Sequence, residues 1–307
     1  MSDILDTRLS EWKDQIDARL HELVEKSSYP SEFKEVLNYA LFPGGKRLRP
    51  ILLLEWHSLF APPDDAAITY ACGIELIHSY SLVHDDMPCM DNDDMRRGKP
   101  TVHKKFGEAK ALLAGDALMD MGYQCMYKPT TDGRPSPLAL YAAHCGDYGL
   151  IHGQYLDLFC DIKTPDDLLD MHAKKTGGLI ALACMGGYAL GNNLGYVEGD
   201  KVLDKLCRNI TSGKSDITAG DDNSLMRGFV AATKFSTEFG RAFQLYDDIS
   251  EYVSGEEIVG TSILNYLDLD KAKQFLNSKL NGAARALEEL SGKTEYLLAL
   301  LEKFVIA

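Results

Sequence analysis

Acids and bases crowd together between His78 and Gly107, in the stretch HSYSLVHDDMPCMDNDDMRRGKPTVHKKFG. Asp85, Asp86, Asp91, Asp93 and Asp94 run directly into Arg96, Arg97 and Lys99. Carboxylate oxygens are hard ligands that hold Mg²⁺ beside substrate phosphates, and arginines fork onto phosphate oxygens. The combination points to an anionic substrate held partly through metal and partly through guanidinium groups. A solvated loop is the usual fate of a charge run, but here apolar helical sequence leads straight into the acids.

A second acidic set, Asp247, Asp248 and Glu251, lies deep in apolar helical sequence with Phe243, Leu245, Tyr246 and Ile249 around it. The i, i+1, i+4 spacing puts Asp247 and Glu251 on one helix face and Asp248 about 100° round from Asp247. Buried acids need a partner, and for three together a metal suits best. Two carboxylate sets facing each other across a helical bundle would make a site for several Mg²⁺ and a diphosphate. His84-Asp85 is also the dipeptide of certain metal phosphohydrolases, with His78, His103 and His152 as further ligands. Helix-end carboxylates and arginines suit Mg²⁺ better than a histidine-held transition metal.

The elements that must position these groups all read as helices. Leu5, Leu9, Trp12, Ile16, Leu20 and Leu23 make one stripe of an amphipathic helix. A second helix starts at Pro30-Ser31 and ends at Pro43-Gly44-Gly45, and a third follows from Pro50 to Phe60. Ala66 to His84 delivers Asp85 and Asp86 at its C-terminal end, and Pro88 should turn the chain there. Glu108–Tyr127, Leu138–Phe159, Thr164–Leu190, Leu225–Tyr252, Asp270–Leu290 and Thr294–Val305 complete the set. Thr164 and Asp167 form a cap, while Pro129–Pro137 and Ser212–Asn223 read as loops. With no β-alternation apparent, the expectation is an all-α fold, one large bundle with a central cavity, spanning residues 1–307 as a single domain.

Composition narrows the class. The 307 residues are 45% hydrophobic, enough for a sizeable core, and carry a net charge of −14. That charge argues against a nucleic-acid partner and leaves anion capture to local bases and metal. Seven scattered cysteines without a CxxC suit a reducing cytoplasm. No secretory signal is visible at the N-terminus. Thr176–Val197 is uncharged but broken by glycines and Asn192-Asn193, so it reads as a buried helix and its loop, not as a membrane span.

DDMPCMD (Asp85–Asp91) followed by RRGKPT resembles the first aspartate-rich motif of the trans-prenyl diphosphate synthases, in the pattern of bacterial farnesyl diphosphate synthases. PGGKRLRP (Pro43–Pro50), ELIHSYSLVHDD (Glu75–Asp86), LAGDAL (Leu113–Leu118), KKTGGLI (Lys174–Ile180) and FQLYDD (Phe243–Asp248) are similar to the family's other blocks, in the same order. The resemblance implies an all-α prenyltransferase joining an allylic diphosphate to isopentenyl diphosphate, and a homodimer. It implies metal ligation by Asp85, Asp86 and Asp91 for two Mg²⁺ and by Asp247, with Asp248 and Glu251, for a third. Arg96 and Lys175 would hold the allylic diphosphate; Lys46, Arg49, His78 and Arg97 would hold isopentenyl diphosphate without metal. Thr176 and Gln244 would set oxygen dipoles near the developing cation. Tyr80, five positions before the first aspartate, would floor the product tunnel and limit the product to farnesyl diphosphate, C15. The alternative is a C20 product, geranylgeranyl diphosphate, because DDMPCMDNDD also resembles plant-type synthases.

Three departures stand out. Glu251 replaces the family's usual aspartate, Val253–Leu267 contains no lysine, and the C-terminal KFVIA lacks a basic end. They imply weak closure over the allylic diphosphate, and leave open a catalytically weak paralogue serving as a partner subunit. A terpene cyclase would share the acid motifs but has no use for Lys46, Arg49 and His78.

Overall fold

The computed structural model describes residues 2–127, 144–147, 149–192, 224–255, 261–290 and 293–306. It is all-α apart from one small hairpin. The helices are α1 (Ser2–Lys26), α2 (Ser31–Leu41), α3 (Leu48–Ser58), α4 (Asp65–Asp85), α5 (Val102–Phe106) and α6 (Glu108–Tyr127). They continue with α7 (Leu150–Phe159), α8 (Pro165–Lys175), α9 (Gly177–Gly191), α10 (Ser224–Val253), α11 (Leu269–Glu288) and α12 (Glu295–Glu302).

Local chemistry starts several of these helices. Asp64 accepts from the Ala67 amide to cap α4, and Asp268 does the same for α11 through Lys271. At α8 the expected Thr164–Asp167 capping box is present, with Pro165 in the first turn. Helix α9 is buried from Gly177 to Leu190, as its uncharged sequence led us to expect. None of the described helices is long and apolar enough to cross a membrane.

Helix α4 packs along α6, α3 against α9, α9 against α10, and α10 against α11. Trp56, Tyr188, Phe235 and Phe239 are fully buried where α3, α9 and α10 meet. The central helices α4, α9 and α10 thus present one flank each to the core and leave their acidic or glycine-rich ends free to surround a site.

Three expectations change, and two loops fall outside the described residues. The chain from Thr164 to Leu190 is two helices, divided at Thr176 just before Gly177-Gly178, whose freedom weakens helical continuity. The Leu138–Phe159 helix is described only from Leu150, after Gly149 leaves the helical region at ψ −126°. Residues 128–143 and 193–223 lie outside the described residues, and with them the expected loops Pro129–Pro137 and Ser212–Asn223. Finally, Met95–Arg96 and Lys99–Pro100 pair as an antiparallel hairpin. Its turn residues Arg97 and Gly98 have φ of 51° and 76°, as a two-residue hairpin turn requires. Strands of two residues have no alternation to read.

Candidate active site

A cavity of about 410 Å³ opens among the start of α3, the face of α4, the hairpin, the α8–α9 junction and α10. Helix α4 supplies Glu75, His78, Ser81, Leu82 and Asp85, three or four residues apart and so along one face. Lys46 and Arg49 enter from α3, Arg96 and Arg97 from the hairpin, and Lys175, Thr176, Gln244 and Asp247 from α8 and α10. Leu150, Leu179 and Phe243 line the apolar part.

The bases are held in two different ways. Arg47 is fully buried and structural: it donates to Asp17 at 2.7 Å, Glu75 at 2.6 Å and the Leu41 carbonyl at 2.8 Å. Arg49, two residues on, buries its Nε without a hydrogen-bond partner among the described residues. Its guanidinium stands 5.9 Å from the Phe243 ring, and burial lowers its pKa. Arg97 lies so close to Gly45 that a Cβ there would come within 2.8 Å of it. His78 is driven well below the usual imidazole range by burial and by Arg49, Arg97, Arg47 and Arg96. It is therefore neutral, a hydrogen-bonding group in a cationic pocket.

The acids divide within each pair. Asp85 faces the cavity, and burial pushes its carboxyl up to about 7 against the pull of Lys175. Asp86 is buried on the other side, accepting from Arg96 Nε at 2.7 Å. One oxygen of Asp86 is thus engaged by a guanidinium, and the metal role expected for Asp86 stands as a proposal. Asp247 lines the cavity and is pushed up to about 6 by burial and then by Glu251, with Lys46 and Arg49 acting the other way. Asp248 points elsewhere, accepting from the Ile263 amide at 2.8 Å and pinning the 3-10 turn Ile263–Asn265. It lies about 100° around α10 from Asp247, and its expected ligand role stands as a proposal likewise. Glu251 is exposed one turn beyond Asp247. Asp91 is exposed, its amide bonded to the Asp85 carbonyl at 2.9 Å, and its acidity responds first to burial and then to Lys175.

Lys175 forms an ion pair with Asp157 at 2.6 Å. Helix α7 comes that close because Gly153 touches the Lys175 backbone; a Cβ there would fall 2.1 Å from its nitrogen. Asp157 escaped the sequence reading, as did Gln154 on the same face, whose two amide atoms are both buried without a partner among the described residues. The signal was present as GQYLD, a glycine ahead of a polar pair at i, i+3. Thr176 donates its hydroxyl proton to Gln244 Oε1, which leaves the Thr176 oxygen lone pairs free. Tyr80 does not line this cavity: it is 7% exposed and packs edge-on against His84. It lies about 140° round α4 from Asp85, whereas Ser81 lies about 40° from it and does line the wall.

Among the described residues no three metal-ligating side chains gather around one point. Mg²⁺ takes one or two carboxylates and completes its shell with water and substrate phosphate. Asp85 and Asp247 fit: they are half-buried hard oxygen donors that line the cavity.

The model of the family described as polyprenyl synthetase matches residues 30–211. The chain belongs to that family. It is 30% identical to the farnesyl diphosphate synthase of Bacillus subtilis (strain 168), over 98% of each chain. It is 32% identical to the chloroplastic geranylgeranyl pyrophosphate synthase of Capsicum annuum, over 89% of this chain and 71% of that one. The solved structure of an FPP/GFPP synthase from Zymomonas mobilis superposes with a TM-score of 0.79 at 29% identity, covering all of both chains. These relationships identify an all-α prenyltransferase and set aside the phosphohydrolase reading.

Proposed function

We propose that the chain condenses dimethylallyl or geranyl diphosphate with isopentenyl diphosphate and releases farnesyl diphosphate. The observation that carries this reading is one cavity lined by both cations and carboxylates: Lys46, Arg49 and Arg97 with His78, and Asp85 and Asp247. Two diphosphates, one held by bases alone and one beside carboxylates, account for both.

On this reading Lys46, Arg49, Arg97 and neutral His78 bind isopentenyl diphosphate. Arg96 and Lys175 hold the allylic diphosphate, each already braced by an acid, Asp86 and Asp157 respectively. Asp85, Asp91 and Asp247, with Glu251, would hold Mg²⁺, three ions per site. The metal would neutralise the charge growing on the leaving diphosphate. As the allylic C–O bond breaks, the Thr176 oxygen offers lone pairs to the positive carbon. Leu82, Leu150, Leu179 and Phe243 keep water from that carbon. The new C–C bond then forms, and the proton lost from the isopentenyl unit goes to the released diphosphate.

The C15 product rests on the relatives named farnesyl diphosphate synthase. One observation favours C20 instead: small Ser81, not Tyr80, lines the wall beneath Asp85. We further propose a homodimer, supported by large apolar side chains exposed on α6 and α7, among them Leu113, Tyr127, Tyr155 and Phe159. A cytoplasmic location is supported by seven scattered cysteines with no CxxC. Chromatography of dephosphorylated products from the purified chain, both substrates and Mg²⁺ tests the function. A C15 alcohol is expected; hydrolysed substrate alone would overturn the reading and favour a partner subunit.

A further inference from the structure

Lys99 follows the hairpin turn and takes no part in the chemistry above, yet it reaches back to a different piece of the site. Its ammonium donates to the Tyr39 carbonyl at 2.6 Å and the Phe42 carbonyl at 2.5 Å. The Tyr39 carbonyl is an orphan of the last turn of α2, at the negative end of that helix, where a cation is favoured, and the Phe42 carbonyl belongs to its extended C-cap residue. The same ammonium sits 3.9 Å from the centre of the Tyr39 ring, with Lys105 at 3.9 Å from it as well. Tyr39 answers with a hydroxyl that donates to the Pro100 carbonyl at 2.8 Å. The hairpin and the end of α2 are thus joined by reciprocal bonds through adjacent residues, 99 and 100.

Phe42 leads directly into Pro43-Gly44-Gly45-Lys46, the segment that carries Lys46 and Arg49, while the hairpin carries Arg97 at its turn. We propose that Lys99 is a positioning residue: it fixes the α2–α3 segment against the hairpin and so sets the spacing of the three cations that would hold isopentenyl diphosphate. This rests on the proposed function for the identity of that ligand. Arg97 has no carboxylate of its own among the described residues and stands at φ 51°, so its place depends on what holds the hairpin. Arg96 differs, being braced from α4 by Asp86. The staple therefore serves one substrate and not the other.

Steady-state kinetics of Lys99→Met, Lys99→Arg and Lys104→Met test this. Lys104 is a neighbouring lysine that pairs with exposed Asp94 and does not reach α2. Lys99→Met should raise KM for isopentenyl diphosphate about tenfold, the scale of a small misplacement of binding groups. KM for geranyl diphosphate should stay within about twofold, because those groups keep their braces. Lys99→Arg, able to donate to both carbonyls and stack on Tyr39, should recover most of the loss, and Lys104→Met should match wild type. Equal rises in both KM values, or a lower Tm with both unchanged, would reduce Lys99 to a stabilising contact and overturn the proposal. Wild-type turnover with unshifted variants sinks only the staple; a wild type that makes no product removes the proposed function and the staple with it.

Discussion

The two acidic pairs, Asp85-Asp86 and Asp247-Asp248, look alike in sequence and divide their labour alike, but they are secured by different means. In each pair the first aspartate faces the cavity and the second holds a neighbouring segment. Asp86 holds a side chain, Arg96, at the mouth of a loop. Asp248 holds a backbone amide, that of Ile263, in the stretch following α10. A guanidinium can exchange a carboxylate for a phosphate as substrate arrives; an amide capped within a 3-10 turn has no such option. The contrast makes the first pair the adjustable side of the site and the second the fixed side.

Breaking that contrast at the cavity should have the largest effect. Asp85→Asn should lower kcat by about 10³-fold, the scale of losing a principal electrostatic stabiliser, with far-UV circular dichroism unchanged. Asp247→Asn should cost about 10²-fold in kcat, because Glu251 one turn away retains an oxygen. The same variant sharpens the electrostatic account through its pH dependence. The Asp247 carboxyl is raised above its ordinary value to about 6 by burial, so at pH 8 the folded protein bears a buried charge that the unfolded chain carries freely. The penalty shrinks as pH falls through about 6 and is gone only below the ordinary carboxylate range near 4, where the unfolded chain is protonated as well. Asp247→Asn should therefore raise the metal-free Tm by roughly 2–4 °C at pH 8 and by clearly less at pH 5. An equal rise at both values would assign the effect to something other than ionisation.

Smaller effects address the second member of each pair. Asp86→Asn should cost about tenfold in turnover through Arg96, and it should not add to Arg96→Met in a double-mutant cycle. Independent, additive losses would give Asp86 a direct role. Asp248→Asn should raise the allylic KM about threefold by loosening the Ile263 turn, with KM for isopentenyl diphosphate unmoved. Last in size, Ser81→Phe should shorten the product by five carbons with kcat within about threefold, whereas Tyr80→Ala should leave length unchanged, since its side chain points about 140° away from Asp85. Product chromatography separates the two residues directly.

Much of this was legible in the sequence because it is periodic or dense. The density of acids and bases from His78 to Gly107 marked the site, and apolar stripes marked the helices. What escaped has a physical reason in each case. The hairpin at Met95–Pro100 is too short to show alternation. The separation of Asp85 from Asp86 depends on where Arg96 lands, a contact made across a turn. Arg47 and Arg49 look equivalent as GKRLR; only packing shows that one is saturated by Asp17 and Glu75 and the other left short of partners. Tyr80, expected to floor the tunnel on its size and position in a motif, packs its ring against His84, and the product of Tyr80→Ala tests that expected role. The lysine-poor stretch after Tyr252 falls partly at 256–260, outside the described residues.

The division of labour within the first pair is most directly tested by calorimetric titration of wild type, Asp85→Asn and Asp86→Asn with inorganic diphosphate in the presence of Mg²⁺. The geometry predicts that Asp85→Asn weakens binding by about 100-fold or more while Asp86→Asn stays within about tenfold. Equal losses in the two variants, or a larger loss for Asp86→Asn, would contradict the assignment of Asp85 to the cavity and Asp86 to Arg96.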